Sequence, residues 1–239
     1  MHYLTTQNAK TTKGESLGYL TGILYLAPHT IAGRKTVCAF ASVECMLACL
    51  YTAGMGAFSN VQQARINKTR AFWQDPKAFV EMLADDITSL IRMAKAQRLK
   101  PCVRLNGTSD LPWENLGGTV GASLMKRFPK VQFYDYTKNP AKALAFANGN
   151  LPANYQITFS LSETNKEKAF ELLSVGVNVA AVFATKKSEE LPLWHKGHGV
   201  TNGDKHDLRF LDPKGCIVGL RAKGKAKDGA GGFVLDPQE

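Results

Sequence analysis

Residues 177–184 (VNVAAVFA) carry a single polar side chain, Asn178, among eight. An unbroken apolar run of that length reads as a strand buried on both faces. Such a strand needs a layer above and below it, the condition of a parallel sheet flanked by helices. The segments upstream supply those layers. Strand patterns fall at 22–27 (GILYLA, closed by Pro28), 101–105, 131–136 and 155–161. Helical patterns fall between them at 60–70, 121–128, 140–147 and 165–173. The clearest helix starts at Asp75, an N-cap residue, with Pro76 at the first helical position. From there Phe79, Leu83, Ile87, Leu90, Ile91 and Ala94 recur at helical spacing, an apolar stripe for burial against a sheet.

This alternation implies right-handed βαβ crossovers. It predicts an α/β fold, a partial or irregular (β/α) barrel, in one domain over 1–239. After Lys186 the helical patterns stop. Residues 206–220 read as a C-terminal β-hairpin, DLRFL and CIVGL about the turn Asp212-Pro213-Lys214-Gly215. In sheets of this kind ligands sit at the carboxyl ends of the strands.

Hydrophobic residues make up 44% of the chain and charged residues 21%, an ordinary globular balance. No apolar run approaches the roughly 20 residues of a membrane helix. The first residues, MHYLTTQNAKTTKGES, lack the apolar core of a secretory signal. The expectation is a cytoplasmic protein with no membrane partner. In a reducing compartment five cysteines do not make a disulfide framework. Cys102 and Cys216 stand alone and read as small core residues. The other three crowd together.

That crowd is Cys38-x6-Cys45-x3-Cys49, in VCAFASVECMLACLY, directly after the first predicted strand. The four-residue step from Cys45 to Cys49 puts both thiols on one face of a helical turn. Cys38 can fold back to complete a three-point clamp, with Arg34 and Lys35 nearby to favour thiolates. Structural zinc wants four protein ligands, and no obvious fourth lies near. Three cysteines on a [4Fe-4S] cube leave one iron open to a small molecule, unless Cys102 or Cys216 closes it. The expectation is therefore an iron–sulfur cluster on Cys38, Cys45 and Cys49. The alternative is a zinc-containing nucleic-acid-binding protein.

Two resemblances bear on this reading. Three cysteines just after the first strand of an α/β barrel resemble the radical SAM superfamily, which implies S-adenosylmethionine at the open iron. The sequence departs from that family's Cys-x3-Cys-x2-Cys. Ala48 stands where an aromatic precedes the last cysteine, and Asn106-Gly107-Thr108-Ser109-Asp110 stands where Gly-Gly-Glu is usual. Ser160, Ser162 and Glu163 end a later strand where that family places ribose contacts. Separately, NAKTTKG, the cysteine stretch, RLNGTSDLPWE and NGDKHDLRFLDPKG resemble a bacteriophage family, the gene-product-eighty-eight-like proteins. That resemblance implies a phage origin, an infected host cell as the location, and no particular reaction.

Further candidates follow from polar clusters. RLNGTSD sets Asn106, Ser109 and Asp110 at the end of the second predicted strand, where they are expected to contact a cofactor or to build an Asx turn. His195, His198, Asp204, His206, Asp207 and Asp212 form either a second metal site or a hairpin with local ion pairs. The net charge is +10. Lys214, Arg221, Lys223, Lys225 and Lys227 place five positive charges in a stretch without an acid. From about residue 221 this basic, Gly-rich segment is a candidate nucleic-acid contact or a solvated tail.

Overall fold

Asp75 accepts a hydrogen bond from the Ala78 N–H at 3.0 Å and Pro76 follows it, so a helix of 21 residues starts where local chemistry says it should. The computed structural model describes residues 3–228 and 231–238. Its elements begin with β1 (Leu4–Thr5), α1 (Ala9–Glu15), β2 (Tyr19–Leu24) and the short α2 (Val43–Leu47). Then come α3 (Ser59–Gln74), α4 (Pro76–Ala96), β3 (Lys100–Arg104), α5 (Leu124–Arg127) and β4 (Gln132–Thr137). Next are α6 (Pro140–Ala147), β5 (Tyr155–Ser160), α7 (Lys166–Ser174) and β6 (Asn178–Phe183). The chain finishes with β7 (Trp194–His195), β8 (His198–Asn202), β9 (Ile217–Arg221) and β10 (Val234–Leu235).

Strands pair in the order β1-β2-β3-β4-β5-β6-β9-β8-β7, and β10 also pairs with β6. Most pairings are parallel; β1 with β2 and β7 with β8 are antiparallel. The path has two ends, so the sheet is not closed into a barrel. The chain divides into two compact units, Met1–Ala39 with Asn60–Asp135 and Leu151–Gln156, and Phe40–Ser59 with Tyr136–Asn150 and Ile157–Glu239.

In the first unit Phe79, Leu83, Ile87, Leu90 and Ala94 of α4 are buried as their spacing requires. Phe79 stacks on Tyr3 with ring centroids 4.3 Å apart, and Phe72 lies 5.6 Å from Trp113. In the second unit α7 buries Ala169, Leu172 and Leu173, and β6 is buried along nearly all of its length. Within the run 177–184, residues Asn178–Phe183 thus form the strand that its composition predicts, buried along most of its length, while Ala184 is exposed.

The C-terminal hairpin exists, but upstream of its expected place. Trp194↔Gly199 and His195↔His198 pair across a turn whose central residues, Lys196 and Gly197, have φ of 47° and 80°. Positive φ at both positions is the twist a two-residue hairpin needs. The expected hairpin at 206–220 does not form. DLRFL holds a 3-10 turn, Arg209–Leu211, and only the CIVGL arm is a strand, paired in parallel with β6 and β8. The cause is Arg209, which is fully buried. Its guanidinium donates to the carbonyls of Gly203, His206 and Asp207 and lies 3.2 Å from the Asp212 carboxylate. Drawing that charge inward bends the chain out of extended geometry. The tail from 221 is also no free extension, because β10 pairs with Val182 and Phe183.

Candidate functional site

In the first unit β2 ends at Leu24 and the chain passes Pro28 into a loop that carries Cys38. His29 takes a left-handed backbone, φ 39°, which aims its N–H at the Cys38 sulfur, 3.3 Å away. The Val37 N–H returns to the His29 carbonyl at 3.2 Å and closes the loop. The Cys38 thiol faces the Thr108 carbonyl at 3.8 Å, and the Asp110 N–H donates to the Val37 carbonyl at 2.8 Å. The segment after β3 is thereby laced to the cysteine loop after β2, at the carboxyl ends of both strands. Sequence reasoning placed 106–110 near the cysteines but gave no sign of the His29 contact, which depends on a strained backbone angle.

Within that segment Asn106 works as a structural hub. It is buried, and its Oδ1 accepts from the Ser109 hydroxyl at 2.8 Å, the Leu111 N–H at 2.9 Å and the Trp113 indole at 3.0 Å. Its own N–H donates to Asp135 at 2.7 Å, and the Tyr155 hydroxyl donates to the same carboxylate at 2.8 Å. Burial first, and the Asp135 carboxylate second, push the Tyr155 phenol well above its ordinary pKa. Through these bonds the Asn106 side chain closes the loop that follows β3, taking the Leu111 N–H five residues on rather than the N–H two residues on that an Asx turn uses. Asp110 is half-buried beside the Cys38 loop.

Gly107 explains how two strand ends approach so closely. Its N–H donates to the Leu24 carbonyl at 3.0 Å, and a Cβ there would lie 2.6 Å from that oxygen and 2.7 Å from the Tyr25 ring. A backbone carbonyl cannot step aside as a flexible side chain can. Gly107→Ala is expected to cost about 2 kcal/mol or more. Urea unfolding checks this, and an unchanged midpoint would refute the close-approach account.

The other two cysteines belong to the second unit. Ser42 caps α2, accepting from the Cys45 N–H at 3.2 Å. Glu163, just beyond the carboxyl end of β5, accepts from the Ser42 hydroxyl at 2.8 Å and the Glu44 N–H at 3.2 Å. The cysteine-bearing turn is thus pinned to that strand end by one carboxylate. Nearby, Lys138 donates to the Ser160 hydroxyl at 2.6 Å, and the Ser162 N–H donates to Asn165 Oδ1 at 2.7 Å.

The expectation that Cys45 and Cys49 share a helical face fails. α2 stops at Leu47, Ala48 is its C-cap, and Cys49 is non-helical with ψ 134°. The reason is local. The Cys49 carbonyl accepts from both the N–H and the hydroxyl of Thr52, which starts a separate 3-10 turn over Leu50–Thr52. Cys38, Cys45 and Cys49 are partly exposed, whereas Cys102 and Cys216 are buried. Cys102 lies 3.2 Å from the Thr21 hydroxyl. The Cys216 thiol points at the Pro213 carbonyl at 3.1 Å, and burial pushes it up to about 11. Among the described residues no group of three His, Cys, Asp or Glu side chains is placed to hold a metal ion.

The histidine- and aspartate-rich region follows the ion-pair reading. Burial would raise the Asp204 carboxyl, but Lys223 at 2.6 Å and Arg221 at 3.4 Å outweigh it and hold the carboxyl low. Burial pushes Asp212 up to about 6 despite the neighbouring Arg209. His195 is buried edge-on to Phe183, and His198 stands 5.9 Å from Phe170. Arg221 and Lys223, two of the five cations in the acid-free stretch, are thus answered in space by Asp204. No described helix is long and apolar enough to cross a membrane.

No curated protein and no solved structure matches the sequence significantly, so the resemblance to radical SAM barrels gains no support from comparison. The family model for gene product 88 matches residues 2–235, nearly the whole length, and the chain belongs to the gene product 88 family.

Proposed function

We propose that this chain is an iron–sulfur protein in which Cys38, Cys45 and Cys49 ligate a [4Fe-4S] cluster, with one iron left for a small molecule. One observation carries the reading. The clustered thiols are the partly exposed ones, and each half of the motif lies at carboxyl strand ends of its own unit, while Cys102 and Cys216 are buried away. Loading of the cluster orders the segment that bears Cys45 and Cys49. Metal sites are rarely preformed, and binding free energy drives such ordering. The segment permits it, since Ala48, Tyr51 and Gly56 alone are buried across residues 40–59.

When bound, such a cluster supplies one-electron chemistry and an open iron able to take adjacent amine and carboxylate groups, as S-adenosylmethionine offers. The protein's part is ligation and positioning. The His29 N–H fixes the Cys38 sulfur, and Glu163 and Ser42 fix the turn that bears Cys45. Ser109 and Asp110 stand on the segment laced to the Cys38 loop and are the nearest candidates to face a small molecule. The test is composition: anaerobically reconstituted protein is expected to hold about four iron and four sulfide per chain. Stoichiometric zinc without acid-labile sulfide would refute the reading and favour the zinc alternative.

A further inference from the structure

Helix α2 is amphipathic in the wrong direction for a core helix. Val43, Met46 and Leu47 follow the i, i+3, i+4 spacing of an apolar stripe, and Leu50 opens the 3-10 turn that follows the helix. That stripe faces solvent: Val43 is 65% exposed and Leu47 59%, and the helix buries no residue. Met55 at 66% and Phe58 at 57% extend the exposed apolar surface along the same segment. Residues 40–59 contain one charged residue, Glu44, whose side chain lies against the backbone of Gly231. The helix is held from its other side, where Ala48 packs with Ala226. Ala226 belongs to the 3-10 turn Gly224–Asp228, which presents exposed Lys225 and Lys227, with Asp228, beside the apolar segment.

We infer that this face seats in the interfacial layer of an anionic lipid bilayer, lying on the membrane without crossing it. Contiguous exposed apolar surface of this kind marks a docking site. Charge chooses the occupant. A second copy of a chain bearing +10 would bring like charge to like charge, whereas anionic headgroups complement it. Side-chain type chooses between lipid and protein. Protein interfaces are anchored by Tyr, Trp and Arg, but the segment's tyrosine, Tyr51, is buried and its exposed tips are aliphatic or phenyl. Aliphatic and phenyl tips with lysines at the margin are the composition of a helix that rests in the headgroup boundary.

The experiment is cosedimentation of the full chain with vesicles of phosphatidylglycerol and phosphatidylethanolamine, against vesicles of phosphatidylcholine alone. Binding is expected for the anionic vesicles and not the neutral ones, with a steep loss in salt. Val43→Ser with Leu47→Ser should lower the partition coefficient about ten-fold, and Lys225→Glu with Lys227→Glu by a similar factor. All four side chains are exposed, so unchanged circular dichroism is expected to accompany both losses. Failure of the natural sequence to bind anionic vesicles overturns the inference, as does binding indifferent to the serine pair. A micromolar dimer that the serine pair dissociates would also overturn it, by giving the face to a second copy.

Discussion

Alanine at Cys38, Cys45 or Cys49 is expected to abolish retention of iron, each substitution alone sufficing. Two thiolates cannot hold a four-iron cube securely. The measurement is iron and sulfide per chain after anaerobic reconstitution and gel filtration, with the visible absorption of the cluster followed in parallel. Cys102→Ala and Cys216→Ala should keep their iron. Cys102→Ala removes a fully buried thiol that touches Thr21, so a loss of about 1 kcal/mol is expected there. If either variant loses the cluster outright, that residue is the fourth ligand and the open iron does not exist. If all three clustered positions tolerate alanine, the iron–sulfur proposal fails.

Asp135→Ala should be among the most destabilising single changes in the first unit. The carboxylate is buried and accepts from the Asn106 N–H and from the Tyr155 hydroxyl, with the Asn106 amide 3.4 Å away. Removing the acceptor leaves these donors stranded in a dry interior, each costing about 1–3 kcal/mol. A loss of about 3–5 kcal/mol is expected in urea unfolding, enough to populate unfolded chains at ambient temperature in a protein of ordinary stability. The loop 106–111 should loosen with it, since Asn106 organises Ser109, Leu111 and Trp113. A shift under about 1 kcal/mol would mean that water replaces the carboxylate and that the hub is less dry than its burial indicates.

Those two cases mark the boundary of what the residues disclose on their own. The α4 helix is legible because its cap, its proline and its stripe all agree, and Asp75 caps as expected. Helix α6 is expected at 140–147 and observed at Pro140–Ala147, for the same reason: Asn139 caps and Pro140 follows. Parallel strands are legible from apolar runs. What escapes is decided by single long-range contacts. Arg209 turns a plausible strand into a buried bend by collecting carbonyls, and no local pattern announces that. The Lys196-Gly197 turn escapes because lysine rarely supplies positive φ, so the dipeptide carries no turn signal. At the site, the three cysteines and the Asn106 loop stand out as residue types in a pattern. The pinning of α2 by Glu163 does not, because it joins positions about 120 residues apart. Spacing also misleads at Cys49, where a threonine three residues on, Thr52, draws the carbonyl into a new turn.

The order β6-β9-β8 has a consequence for how the second unit is made. Strands enter the sheet out of the order in which they are synthesised: the β7–β8 hairpin precedes β9 in the chain, yet β9 lies between it and β6. During synthesis the hairpin can close on itself but finds no sheet to join. The β6 flank that β9 will cover offers an open, apolar edge until residues 217–221 emerge, an invitation to pair with a neighbouring nascent chain. Expression at high ribosome density is therefore the condition in which this protein should aggregate, and slower translation the simplest remedy.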